Sequence, residues 1–213
     1  MAPSGPRSGT CSMPDWDEDS HELQENLLRL LREIRDAARD REALTLKVLR
    51  GWHQEVLLGL TLPDDSMAGK FRGERGLEDV EIRIGIHSGV SAREVRGVLN
   101  EFEKTLKRVV SRLDALIPEG EELNPDQLAA VMDFCAWAHA EWVRIHPLAN
   151  GNGRIARILA NAIAMRYGLP PFVRLRPRPD GGYGVAGEMA MRGNWKATTV
   201  VFNQMLLEML KKP

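Results

Sequence analysis

Residues 146–157 read His-Pro-Leu-Ala-Asn-Gly-Asn-Gly-Arg-Ile-Ala-Arg, a run whose residue types suit the handling of a phosphate chain. Gly151 and Gly153 let the backbone take positive φ, so that successive N–H groups can turn inward as a nest for an anion. The apolar spacing that follows (Ile155, Ile158, Leu159, Ala162, Ile163) predicts a helix. Its N-terminus adds free N–H groups and the positive end of the helix dipole. Arg154 and Arg157 stand three residues apart on one face of that helix, where both can fork onto the same phosphate chain. His146 supplies what a phosphate cradle lacks, a group that accepts a proton near neutral pH. Beside a bound nucleotide it could deprotonate an incoming hydroxyl. That hydroxyl would attack a phosphorus whose charge is held by the nest and the arginines.

The segment resembles the signature of the Fic (filamentation induced by cAMP) family of nucleotidyl-transfer enzymes, His-Pro-Phe-x-Asp/Glu-Gly-Asn-Gly-Arg-x-x-Arg. His146, Pro147, Gly151, Asn152, Gly153, Arg154 and Arg157 all agree with it. At about one in twenty per position, chance agreement at a given start is roughly one in a billion, far rarer than a bare G-x-G-x-x-G match. Looser resemblances extend over residues 40–210. Residues 138–145 resemble the helix that leads into the family's loop, and Ala68-Gly69-Lys70-Phe71-Arg72 resembles the approach to its flap. Val80 to His87 looks like the flap itself, which holds a target side chain by strand-like backbone pairing. Gly182-Tyr183 to Asn194 resembles the tail helix near the nucleotide base.

The resemblance implies a mainly α fold, a Fic-like helical bundle with a small β-hairpin flap beside the active-site helix–loop–helix. It implies transfer of AMP from ATP to a Ser, Thr or Tyr hydroxyl of a protein substrate, with no call for nucleic acid or membrane, and it is compatible with a homo-oligomer. His146 would be the base. Asn150, Gly151, Asn152, Gly153, Arg154 and Arg157 would hold the phosphates, with Mg²⁺ between them. Ile82, Arg83, Ile84 and Gly85 would form the target-binding flap. Two positions depart from the signature. Leu148 replaces Phe, which keeps an apolar anchor of smaller size. Asn150 replaces a carboxylate that binds Mg²⁺, and an amide oxygen offers a hard cation no charge, so weak or water-mediated metal binding is expected. Both loop glycines are kept, which favours nucleotidyl transfer over the phosphorylation carried out by Doc relatives. Glu25-Asn26 partly matches the family's inhibitory Glu-Gly/Asn pair, which would make residues 20–38 an inhibitory helix. Transfer of another nucleotide or phosphate group, and a nucleotide- or partner-binding module of weak activity, are the competing readings.

These residues need elements to position them, and the sequence supplies mostly helices. Ser20 is a plausible N-cap for a helix carrying Leu23, Leu27, Leu30, Leu31 and Ile34. The charged stretch Arg35 to Glu42 continues or interrupts it. A second helix carries Leu46, Leu49, Val56 and Leu60 and ends before Pro63. In Val80-Glu81-Ile82-Arg83-Ile84-Gly85-Ile86 the apolar residues alternate with period two, which predicts a strand within a flap over residues 79–90. Val95, Val98, Leu99, Phe102, Leu106, Val109, Leu113 and Leu116 mark a long amphipathic helix stopped by Pro118. Asn124-Pro125-Asp126 is a helix start, with Asn as the cap, Pro in the first turn and an acid beside the dipole. That helix carries Leu128, Val131, Met132, Cys135, Trp142 and Val143 toward His146. The helix after the loop ends at Gly168 and Pro170, and a last helix runs from about Trp195 to Leu210.

The chain has 213 residues, enough for one domain over residues 19–213 behind a Ser/Gly/Pro-rich leader at 1–18. A formal net charge of −1 gives no global attraction to nucleic acid or an anionic membrane. Two cysteines do not make a disulfide framework in a chain this long. Cys11 lies in the leader, and Cys135 reads as a small core residue. No run approaches the ~18 apolar residues of a membrane span, and the leader lacks the apolar core of a secretory signal. A cytoplasmic protein fits, as does an effector exported without a signal peptide. His139 reads as structural or as a support behind the site residues, not as a metal ligand, His87 near the flap tip as exposed, and Trp137, Trp142 and Trp195 as core or interface residues.

Overall fold

The computed structural model describes residues 20–84 and 86–211. The expected leader with Cys11, and Gly85 of the expected flap, lie outside them. Among the described residues the chain forms seven α-helices: α1 (His21–Arg39), α2 (Leu46–Leu57), α3 (Ala92–Leu116), α4 (Pro125–Ile145), α5 (Asn152–Arg166), α6 (Tyr183–Met191) and α7 (Lys196–Leu210). Two short strands, β1 (Arg83–Ile84) and β2 (His87–Ser88), pair antiparallel between α2 and α3. The fold is mainly helical with a small hairpin, as the sequence predicts. No helix among the described residues is long and apolar enough to cross a membrane.

The helix starts follow their capping residues. Ser20 Oγ accepts the Leu23 N–H at 3.1 Å. Asn124 and Gln127 form a reciprocal capping box, each side chain bonding the other's main-chain N–H at 2.9 and 3.0 Å. The charged stretch after Ile34 continues α1 as far as Arg39. α2 stops at Leu57, short of Leu60, because Gly59 takes a positive φ of 75° and the buried Asn26 claims the last carbonyls. Its amide donates to Val56 O at 3.2 Å and Leu58 O at 2.7 Å.

The centre of the bundle is the α4–α5 pair. α1 and α2 pack against α5, while α3, α6 and α7 pack against α4. Thirteen of the fifteen residues of α5 are buried, so this helix has no solvated face and cannot shift without moving its neighbours. Trp142 of α4 is fully buried and meets Phe71 and Phe102 edge-on, at 6.0 and 5.8 Å between ring centres. Trp137 stacks on Phe102 at 5.4 Å. Cys135 is enclosed in this core, and burial drives its thiol pKa far up, so it is inert filling.

In the flap the expected alternation appears in part. Val80, Ile82 and Ile84 are half-buried, while Glu81 and Arg83 are exposed. Ile86 breaks the pattern, being 80% exposed. His87, expected to be exposed, is half-buried because β2 folds it back opposite Ile84. The ladder holds only two residues on each side, since carbonyls at the hairpin base bond elsewhere. The guanidinium of Arg72, whose side chain is wholly buried, takes them. It donates to Val80 O at 3.0 Å on one arm and to Val90 O at 2.6 Å on the other. It also donates to Ile145 O at 3.1 Å and His146 O at 2.7 Å, and the Arg72 main-chain N–H donates to Pro147 O at 2.7 Å. One side chain thus fastens the flap to the end of α4.

Replacing Arg72 by Met keeps most of the volume but takes a donor from four buried or part-buried carbonyls, of which that of Ile145 keeps the Val90 N–H. We expect a loss of roughly 3–5 kcal/mol in urea unfolding, against well under 1 kcal/mol for Arg83→Met on the exposed flap arm. Equal stability of the two variants would refute this account of the flap.

Candidate functional site

The site begins where α4 ends. His146 is the C-cap of that helix, in the left-handed conformation with φ 54° and ψ 55°. Such a backbone costs a non-glycine residue about 1 kcal/mol or more unless its surroundings impose it. Here Arg72 holds the carbonyls of both Ile145 and His146, and Val90 N–H adds a bond to Ile145 O at 3.3 Å. The turn folds the imidazole back along the helix, with Nδ1 3.1 Å from Val143 O. A carbonyl can only accept, so Nδ1 carries the proton and Nε2 keeps its lone pair. Burial lowers the His146 pKa to about 4, with the Arg72 charge acting the same way and the Val143 carbonyl opposing them. At neutral pH the ring is therefore an uncharged base. The flap passes directly over it. A Cβ on Gly89 would come within 2.9 Å of His146 Cβ and 3.1 Å of Arg72 Nη2, so only glycine fits there.

From His146 the loop crosses to α5. Leu148 is fully buried and pairs with Phe71 in an isolated antiparallel bridge, the core anchor that its position predicts. Asn152 spends its side chain on the loop itself. Its Oδ1 accepts Leu148 N–H at 2.9 Å and its Nδ2 donates to Leu148 O at 2.8 Å. Expected as a phosphate ligand, it braces the loop, and what it leaves for an anion is its main-chain N–H in the first turn of α5. Gly151 caps that helix with φ 77° and, having no side chain, makes no cap hydrogen bond to the first-turn amides. Such N–H groups and the positive end of the dipole suit an anion. Gly153 gives it close access, with Arg157 Nη1 3.3 Å from where a Cβ would stand.

Arg154 and Arg157 are both buried. Arg157 is held from the far side. Its Nη2 donates to Leu175 O at 3.1 Å and its Nη1 to the Tyr183 hydroxyl at 3.5 Å. That hydroxyl lies 2.7 Å from His139 Nε2. His139 is buried and reaches Arg157 through Tyr183: burial, followed by the charges of Arg157 and Arg178, lowers its pKa to about 3. The structure thus brings together His146, Gly151, Asn152, Gly153, Arg154 and Arg157. Ile82, Arg83 and Ile84 border the same region, tied in by Gly89 N–H to Ile82 O at 3.0 Å. Glu25 and Asn26 lie on α1, which packs against α5. The Glu25 carboxylate is exposed on α1 and lies 3.5 Å from His21 Nδ1, and Asn26 secures the end of α2.

The implied Mg²⁺ finds a poor donor set. The loop contains no carboxylate, Asn150 Oδ1 accepts Gly151 N–H at 2.5 Å, and no group of three or more His, Cys, Asp or Glu side chains is placed to hold a metal among the described residues. A protein-held Mg²⁺ does not fit these residues, because the ion normally leans on at least one carboxylate.

Three features escaped the sequence reading. Arg72 was visible only as part of a motif and carried no sign of its four-carbonyl role. Tyr183 as the partner of Arg157, and His53 beneath the loop, belong to distant segments whose approach only the fold reveals. Helix spacing could have placed His53 on the buried face of α2, beside Leu49 and Val56.

A helix–loop–helix that joins an imidazole at the end of one helix to the glycine-capped start of the next, with two buried arginines on that next helix, is a geometry suited to an anion. The Fic/DOC family model matches residues 43–164, and the chain belongs to that family. It is 50% identical over 140 residues to a protein adenylyltransferase Fic of Nematostella vectensis, covering 65% of this chain and 27% of that protein. The chain therefore spans about a quarter of that relative's length. Among solved structures it resembles the N-terminal Fic domain of Bep8 from Bartonella sp. 1-1C, at TM-score 0.61 and 15% identity, covering 87% of this chain and 81% of that one. It also resembles BepC of Bartonella tribocorum, solved with bound AMPPNP, at TM-score 0.53 and 17% identity, covering 89% and 88%. At these identities the structural likeness establishes the fold.

The three depressed histidines set an acid limit on stability. His53, His139 and His146 have folded pKa values of about 4, 3 and 4, below the ordinary 6.5 that each regains on unfolding. The unfolded chain thus binds protons that the folded one refuses, so their stabilising effect is complete above pH 6.5 and drains away as pH falls toward 4. We expect Tm to drop by at least ~5 °C between pH 7 and pH 4.5 in thermal melts. A flat profile there would contradict the burial of these rings.

Proposed function

We propose that this chain transfers AMP from ATP to a Ser, Thr or Tyr hydroxyl of a target protein. The observation that carries the reading is the fixed tautomer of His146, which leaves an uncharged Nε2 with its lone pair available on the loop that leads into the N-terminus of α5. A pure binding module has no use for a base held at such a backbone cost. The kinship with proteins named adenylyltransferases supports the same chemistry.

In this reading the N-terminal amides of α5, with Arg154 and Arg157, take the phosphate chain and draw off charge as it develops. The target hydroxyl approaches under the flap, with backbone of Ile82, Arg83, Ile84 and Gly85 positioning its segment as an added strand. As the hydroxyl oxygen attacks the α-phosphorus, its proton passes to His146 Nε2. The new P–O bond forms while the α–β bridging bond breaks, and pyrophosphate leaves. The pKa of about 4 keeps the base unprotonated across the physiological range, at the expense of some basic strength.

Incubation with α-labelled and γ-labelled ATP tests the reaction. Retained α label supports nucleotidyl transfer, γ label alone would show phosphoryl transfer, and neither would leave a binding module. His146→Ala should lower labelling by ~10²- to 10⁴-fold while ATP affinity stays within about threefold.

Metal dependence follows from position 150. With an amide already bonded to Gly151 there, Mg²⁺ should act mainly through the nucleotide and saturate late. Asn150→Asp should lower the half-saturating Mg²⁺ concentration by about tenfold in the same labelling assay. Equal half-saturation in both proteins would remove Asn150 from the metal question.

A further inference from the structure

The glycine turn of the loop has a neighbour that the reaction does not use. His53 of α2 is 1% exposed and lies beneath residues 150–154. Its Nδ1 is 2.9 Å from the main-chain nitrogen of Gly69, which can only donate. An accepting Nδ1 carries no proton, so the neutral ring must carry it on Nε2. That tautomer is the opposite of the one fixed in His146.

Each end of this ring faces a different part of the site. Gly69 belongs to the base of the flap, two residues before Phe71 and three before Arg72. Arg50, one turn earlier on α2, reinforces the attachment. Its Nη1 donates to Gly69 O at 2.9 Å, and its guanidinium lies over the Phe71 ring at 4.0 Å. On the other side, a Cβ added to Gly151 would stand 3.3 Å from His53 Nε2 and 3.9 Å from Arg154 Cζ. Imidazole and guanidinium therefore stand together behind the residue whose positive φ starts α5. Nε2 is buried and makes no hydrogen bond among the described residues, and the nearby Asn150 main-chain carbonyl opposes, without overcoming, the effect of burial that keeps the ring uncharged. The ring must stay uncharged in this place, since a second cation beside Arg154 would push the guanidinium aside.

We propose that His53 is a positioning residue for nucleotide binding: the Gly69–His53–loop contact holds the Gly151 turn and Arg154 in the arrangement that receives the phosphates, and couples that arrangement to the flap base. The proposal rests on the nucleotide-binding reading above. Simple filling of space would need only a ring of this size. A positioning role needs in addition the acceptor for Gly69 and the donor aimed at the loop.

Three substitutions in the full chain separate these functions. His53→Phe keeps the ring and loses both polar ends. His53→Asn keeps an acceptor near the Nδ1 position without reaching the loop. His53→Gln returns a donor near the Nε2 position. The probe is AMPPNP, with its Kd measured by calorimetry beside ligand-free Tm, and with the KM for ATP and kcat from α-label transfer. We expect His53→Phe and His53→Asn to raise Kd and KM by about tenfold or more, with kcat within about threefold, and His53→Gln to recover most of the affinity. Unchanged Kd in all three variants would overturn the proposal. So would affinity losses that follow Tm alone, with Gln no better than Phe, since that marks a merely structural ring. If His53→Phe fails to fold, Asn against Gln decides. Failure of the unsubstituted protein to bind AMPPNP would overturn the nucleotide reading itself, a result seen before any variant is compared.

Discussion

A buried guanidinium has five N–H donors and no water to satisfy them, and the way Arg72 meets that demand organises this site. Its partners are carbonyls of residues 80, 90, 145 and 146, which come from both arms of the flap and the last turn of α4. Helix ends leave such carbonyls without intrahelical partners, and a hairpin base leaves them wherever its ladder stops. Arg72 answers both deficits at once. The consequence for His146 is direct. Its left-handed backbone, which points the ring back to Val143 and bares Nε2, is tolerable because Arg72 holds the carbonyl on each side of the turn. The orientation of the base and the seating of the flap therefore depend on the same set of hydrogen bonds. Glu81, 3.6 Å from Nη1, lies close enough to offset part of the cost of burying the charge.

The phosphate side is made rigid by different means. α5 is buried on nearly every face, so its N-terminus is fixed by packing, and the loop ahead of it is braced by Asn152 and Leu148. Cations collected at one helix end would repel one another and anything protonated nearby. The site manages this by keeping every neighbouring imidazole neutral. His53 lies by Arg154, His139 by Arg157, and His146 by Arg72, and burial together with those charges depresses all three. Positive charge is thus concentrated on the guanidinium groups, and the rings are left to act through hydrogen bonds alone.

Much of this was legible in the sequence, for reasons that differ from element to element. Helices α1 to α5 carry three-to-four residue periodicity, with local caps at Ser20 and Asn124, so their presence needs no tertiary information. By contrast, α6 sits in a Pro/Gly/Arg-rich stretch and is marked only by the resemblance of Gly182 to Asn194 to a family helix. The loop is legible because glycine, histidine and arginine at those spacings have few other uses. The flap was only half legible. Alternation marks Val80 to Ile84, but the ladder shrinks to two pairs because Arg72, a residue outside the pattern, captures its carbonyls. The end of α2 was misplaced for the same kind of reason, since Asn26, thirty residues earlier in the chain, takes the carbonyl of Val56. Asn152 was read by its type as a ligand, while its amide is the right length to bridge both main-chain groups of Leu148. Local physics was readable; contacts between distant segments were not.

Asn150 shows how one position bears on the balance of the whole site. A carboxylate there would add a negative charge close to Arg154 and the α5 N-terminus, competing with a phosphate for the same donors unless a cation intervened. The amide has no such charge, and its oxygen turns back onto Gly151 N–H, where it caps the loop's own turn. Under the proposed function the site would therefore repel an incoming polyphosphate less than a carboxylate there would, and be less hospitable to a protein-held divalent ion. Those two effects have one origin. A chain that binds its nucleotide through amides and arginines leaves the nucleotide's own oxygens as the best place for a metal, so the ion would enter with the substrate rather than wait for it.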